Sequence, residues 1–358
     1  MTTSTPLADP VDGTPPSPVP TSSLPARLAA LAEHVRVFRW DERFIPTAFA
    51  TRLLALLEYA LKTGTWFVVC AQPGDGKSTA LAHFRTSAHA AHVVESPEGL
   101  GVTRVPVLAT RVSSGIQSAD RLMIALASGL GALPNLRAYK LRQWFVDACV
   151  RAGVGLIAID DAHELSGAQL SYLRELTGQL AEQGLRPAVL LLAASASLDP
   201  AAQPLWRLIS GDALTHAQFR RRLDGTDPLV LVEGLSEPEV GAVLRTLEHR
   251  YREQFPGLRL QPLAHSMFGW LTDARLDPLR VRRVRMGYLC DLVHAALADA
   301  ALAGPEGVEN VGRLLHAAAI RLAVRGYAYS VLPARDDASS SCMPAARPGA
   351  APGPGPEG

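Results

Sequence analysis

The chain has 358 residues, 48% hydrophobic and 19% charged, with a formal net charge of +1. That supplies one large core or two ordinary ones and excludes a polycation, so any nucleic-acid surface must be local. The cysteines at 70, 149, 290 and 342 lack CxxC spacing, no N-terminal stretch joins basic residues to an apolar segment, and no run approaches about 18 apolar residues. Zinc binding, a disulfide framework, secretion and a membrane span are therefore not expected, and the expected compartment is a reducing cytoplasm.

Residues 1–24, rich in Thr, Ser, Pro and Asp, read as a disordered tail. Residues 26–40 and 48–63 read as helices, the second with Leu53, Leu54, Leu57 and Leu61 at helical spacing. Arg43 to Thr47 between them is extended, fixed by Pro46. The run from Trp66 to Ala71 suits a buried parallel strand, and a turn follows, Gln72-Pro73-Gly74-Asp75-Gly76. Lys77-Ser78-Thr79 then opens a helix over about 77–90.

This is the strand, loop and helix order of a phosphate-cradling loop. Glycines let backbone amides converge on phosphate oxygens, and the helix N-terminus adds more amides and a partial positive charge. Pro73, Gly74, Asp75, Gly76, Lys77, Ser78 and Thr79 are the expected contacts to ATP; Lys77 reaches the outer phosphates and Ser78 the Mg²⁺. Lysine occurs only at 62, 77 and 140, and Ala71 stands where the full pattern has Gly.

Further along, Arg104 to Thr110 reads as a strand, with helices near 118–130 and 138–151. Val154 to Ile159 is a second buried strand, ending in Asp160-Asp161-Ala162-His163-Glu164. Carboxylates at the C-terminal tip of a parallel strand sit beside a phosphate loop in open α/β sheets. Asp160 is expected to help hold Mg²⁺ and Asp161 to orient or deprotonate the attacking water, with Glu164 as the other candidate base. A helix over 167–183 carries Leu170, Leu173, Leu176 and Leu180 on one face; Ala188 to Ala194 and Leu229 to Val232 are the last strands. From about 236 the chain turns helical. The expected fold is a three-layer α/β P-loop core with a parallel sheet over residues 25–233, an α-helical lid over 234–333 and a disordered tail over 334–358.

With these motifs, roughly residues 40–300 resemble the AAA+ ATPases, most of all the bacterial transposition ATPases of the TniB and MuB kind. The resemblance implies five core strands with the P-loop strand central, ATP and Mg²⁺ as cofactors, and nucleotides at the subunit boundaries of a homo-oligomer. It implies that Ser195, in Leu191 to Leu198, contacts the γ-phosphate or the water. Arg222, or Arg221 beside it, would be an arginine finger acting in trans; the other reading is a solvated basic turn. Arg280, after Asp277-Pro278-Leu279, would be the lid arginine that senses the nucleotide, with Arg282 and Arg283 competing. Phe44, Ile45 and Pro46 would pack the adenine or form a plain linker.

Two functions remain open at this point. One is a DNA-associated ATPase that recruits or regulates a partner such as a transposase, with Arg275, Arg280, Arg282, Arg283 and Arg285 neutralising phosphates. The other is a nucleotide-gated interaction module with little hydrolysis, which the Ala71 and Asp161 departures also fit.

Overall fold

Residues 44–330 are described by a computed structural model, apart from 96–100, 114–117, 132–136, 195–198, 200, 202, 212–213, 224, 226–227, 278–279 and 304. Both expected tails, the helix over 26–40 and Ser195 lie outside the described residues.

Helix α1 (Ala48–Thr63) begins where the Thr47 hydroxyl accepts the Ala50 amide and ends at Gly64 in the left-handed region. Leu53 and Leu57 are buried as their spacing predicts. Strand β1 (Phe67–Ala71) is buried at every position and leads through the Gly-rich turn into α2 (Lys77–His83), which loosens into a π turn over Phe84–Ala88.

The next two strands are a departure from the sequence reading. The expected strand from Arg104 to Thr110 is split at Pro106. β2 (His92–Glu95) and β3 (Gly101–Arg104) form an antiparallel hairpin, and the core strand is β4 (Val107–Arg111). The hairpin is exposed along nearly its whole length, so it carries no burial pattern to read.

The chain continues through α3 (Ala119–Ser128), α4 (Ala138–Ala152), β5 (Leu156–Asp160) and α5 (Gly167–Glu182). A capping box between Ser166 and Gln169 starts α5, whose leucine face is buried as predicted. Then come β6 (Ala188–Ala194), α6 (Pro204–Ser210), α7 (Leu214–Arg220) and β7 (Leu229–Val232).

All five core strands pair in parallel in the order β4-β5-β6-β1-β7. β6 is therefore the middle strand, and the phosphate-loop strand β1 lies between it and the edge strand β7, not at the centre. Residues of one strand alternate between two cores. Val69 and Ala71 pack with α1 and α2, while Val68 and Cys70 pack with α3, α4 and α5. This is the three-layer AAA+ P-loop architecture.

The C-terminal part is helical: α8 (Glu237–Arg250), α9 (Ala264–Leu271), α10 (Met286–Ala303), α11 (Pro305–Glu309) and α12 (Val311–Ser330). They share their own apolar core around Leu244, Met267, Val293 and Leu315. By length and composition α10 alone among the described helices would suffice to cross a membrane. Leu289, Leu292, Val293, Ala296, Leu297 and Ala300 turn inward and are buried in the lid core.

Candidate functional site

A parallel sheet delivers every strand's C-terminal tip to one edge, so β1 and β5 bring their following loops to the same place although β6 separates them. Gly74 (φ 89°) and Gly76 (φ 84°) take the left-handed backbone that bends the loop, and a Cβ on Gly76 would meet nothing within 4 Å. A concave loop of this kind fits phosphate oxygens.

Lys77 is buried, and its ammonium donates to the Ala71 and Gln72 carbonyls at 3.1 Å each. Burial lowers its pKa, against the pull of Asp75, Asp160 and Asp161. The Ser78 hydroxyl donates to Asp160 Oδ2 at 2.5 Å, joining the first turn of α2 to the tip of β5. Asp160 is buried, and its Oδ1 accepts the Asp161 amide at 3.0 Å. Among the described residues no cluster of three or more His, Cys, Asp or Glu is placed to hold a metal. A hydroxyl and one carboxylate suit Mg²⁺, which keeps waters and shares itself with phosphate oxygens.

Asp161 adopts a left-handed conformation (φ 53°), which Asp tolerates better than most residues. Its Oδ2 accepts from Arg111 Nε at the tip of β4. The hydrogen bond to Asp161 raises the pKa of this largely exposed arginine. The sequence reading missed Arg111; asking which residue ends the strand beside β5 would have found it. His163 ties this turn to the next strand: its Nδ1 accepts the Ala194 amide at 3.1 Å. The ring proton therefore sits on Nε2, 3.6 Å from Glu164 Oε1.

The lid closes the other side. Gly287 N donates to Gly74 O at 2.9 Å, and Arg285 Nε donates to Gln72 Oε1 at 2.6 Å. Phe44, Ile45, Thr47 and Ala50 face Met286, Gly287 and Cys290 across a pocket floored by Gly74, Asp75, Gly76 and Thr79. Phe44 stacks flat on His83 at 4.0 Å between ring centroids. Phe44 and Ile45 thus line the pocket, whereas Pro46 is exposed.

The lid arginines disperse. Arg280 is exposed and left-handed (φ 53°), with its amide donating to Asp277 O, and it does not line the pocket. Arg285 is the lid arginine that meets the phosphate loop. Arg275, itself exposed, pairs with Asp273 and Arg283 with Glu233, while Arg280 and Arg282 are exposed. At the opposite, N-terminal end of the sheet, Arg222 donates to Thr177 Oγ1 at 2.6 Å and lies over the Trp66 ring. Burial and the neighbouring Arg174 lower its pKa. Arg222 is engaged within its own chain, and Arg221 beside it is exposed.

Residues 61–200 match the family described as an AAA domain. No curated protein matches the chain in sequence. Among solved structures, Cdc6p from Pyrobaculum aerophilum is similar at 14% identity over 74% of this chain and 66% of that one, with a TM-score of 0.51. The Aeropyrum pernix Orc1 protein, solved in complex with DNA, is 15% identical over 80% and 69%, at 0.49. Domain III of the Thermotoga maritima replication initiation protein DnaA is 14% identical over 75% and 93%, at 0.44. At this distance the Cdc6p likeness bears on the fold alone.

Proposed function

We propose that this AAA+ P-loop fold binds ATP with Mg²⁺ and hydrolyses it. The observation that carries the reading is the Ser78 hydroxyl on Asp160 beside the buried Lys77, in a glycine-bent loop at the tip of the sheet. In this reading the loop amides and Lys77 hold the phosphates, Ser78 and Asp160 hold Mg²⁺, and Asp161 takes the proton of the attacking water. Bound Mg²⁺ supplies charge neutralisation at the transferring phosphoryl group. Arg285, on Gln72, extends the positive rim from the lid side. The direct test is Mg²⁺-dependent ATP binding and phosphate release by the full chain, with Asp160→Asn losing both.

A weakly hydrolysing, nucleotide-gated module is the second reading, and the Arg111 contact to Asp161 favours it. Arg111 occupies an oxygen of Asp161 that would otherwise be open to the attacking water. Arg111→Ala separates the two: raised phosphate release supports a restrained ATPase, while tight binding with no turnover in either form supports the module.

The finer reading is a cytoplasmic homo-oligomer that acts on DNA and recruits a DNA-processing partner such as a transposase. Its support is the sequence resemblance to the transposition ATPases, the exposed Arg221 far from its own loop, and the exposed Arg280 and Arg282 of the lid. Sedimentation with and without ATP and duplex DNA tests it; a monomer indifferent to both would end it.

A further inference from the structure

Asp75 places a negative charge in the middle of a loop built for phosphates. It is 5% exposed. Its Oδ2 accepts the Gln72 amide at 3.0 Å, and its Oδ1 is buried with no hydrogen-bond partner. Burial pushes the carboxyl up to about 6, against the opposing pull of Lys77, the Gln72 amide, Arg285 and the Met286 amide. The charged groups facing it are thus Lys77 from α2 and Arg285 from the lid. Cys290 is the other titratable side chain of the pocket, and burial pushes its thiol up to about 11.

The lid is pinned at this point of the loop. Gly287 bonds Gly74, Arg285 bonds Gln72, and a Cβ on Gly287 would stand 3.4 Å from Gly74 Cα. Asp75 is therefore an internal anion between the loop lysine and the head of α10, both of which attract phosphate. A buried carboxylate and an incoming triphosphate repel each other strongly where the dielectric is low. Adding a proton to the orphaned Oδ1 removes the repulsion and makes that oxygen a donor, matching a phosphate acceptor.

We propose, resting on the ATP reading above, that Asp75 is a proton-taking clasp. Ionised, it holds Lys77 and the lid head on the loop; when nucleotide binds, it takes one proton from solvent and releases them to the phosphates.

The experiment measures the Kd of a non-hydrolysable MgATP analogue for the full chain from about pH 5.5 to about 8.5, with Asp75→Asn as the shape-matched form that takes no proton. Calorimetry in two buffers of different ionisation heat counts protons for the wild type alone. Above pH of about 6 the wild-type Kd should rise toward about tenfold per pH unit, relative to the Asn variant. Close to one proton should be taken up near pH of about 7.5, and Asp75→Asn should bind more tightly than wild type at high pH. Parallel pH profiles for the two proteins, or no proton uptake by the wild type, would overturn the clasp and leave ATP binding standing. Failure of both proteins to bind at every pH would overturn the ATP reading, and the clasp with it.

Discussion

Between Gln72 and Thr79 the loop side of the pocket is built from one contiguous stretch of backbone, whereas the lid side arrives 213 residues later through Arg285. The loop side is rigidly determined. Two left-handed glycines, a buried lysine and a hydroxyl locked to Asp160 leave little freedom. The lid side meets it through the backbone bond from Gly287 to Gly74 and a long arginine side chain bonded to Gln72. Local geometry thus shapes the loop side, and tertiary placement decides which lid groups face it.

The sharpest break between the two sides should be in chemistry. Asp161→Asn should keep ATP binding but lower phosphate release by about 10²–10⁴-fold, the usual share of a positioned base. Turnover at the wild-type rate would transfer the role to Glu164.

Asp75 gives the next largest effect, read in stability. Its carboxyl moves from 3.8 unfolded to about 6 folded, so the folded state holds the proton more tightly. Its contribution is present below pH of about 4 and is lost as pH rises through about 6, a difference of about 3 kcal/mol. Asp75→Asn should therefore be more stable than wild type at pH of about 7.5 and lose the advantage at about 4, by urea unfolding at each pH.

Lys77→Ala removes a charge-assisted contact to phosphate and should weaken ATP binding by about 1.5–3 kcal/mol, ten- to hundred-fold. Unchanged affinity in a folded variant would sink the loop assignment. On the lid side, Arg285→Ala should weaken ATP binding by about tenfold, one charged contact at a partly solvated rim. Arg280→Ala should leave it unchanged; the reverse ranking would restore the sequence-based choice of Arg280.

The smallest effect concerns DNA. Replacing Arg280 and Arg282 together should lower the log–log salt slope of duplex binding by up to about 2, with ATP affinity intact. Replacing Arg275 and Arg283, which are held by Asp273 and Glu233, should change it less.

The loop, the Asp160–Asp161 tip and the leucine face of α5 were legible because each depends on neighbours a few residues away. Strand burial, glycine torsions and helical spacing all write themselves into local sequence. The β2–β3 hairpin was not legible, because an exposed ribbon has no buried side to impose alternation. Arg222 was read as a finger acting in trans or as part of a solvated basic turn; Thr177 and Trp66 engage it from segments that only the fold brings near. The approach of Arg285 to the loop was not legible for the same reason. Spacing along the lid orders its arginines in sequence, but only the approach of α10 to Gly74 decides which one reaches the loop.

By itself, then, the sequence determined a glycine-bent loop after a buried strand, an acidic strand tip and an alternating α/β core, since backbone torsions and burial periodicity are short-range. Tertiary structure decided which charges meet. It set Arg111 on Asp161, His163 under Ala194, and Asp75 between Lys77 and the lid. Electrostatic partners are chosen by distance in space, and a parallel sheet with crossover helices brings together at one edge residues that lie far apart along the chain.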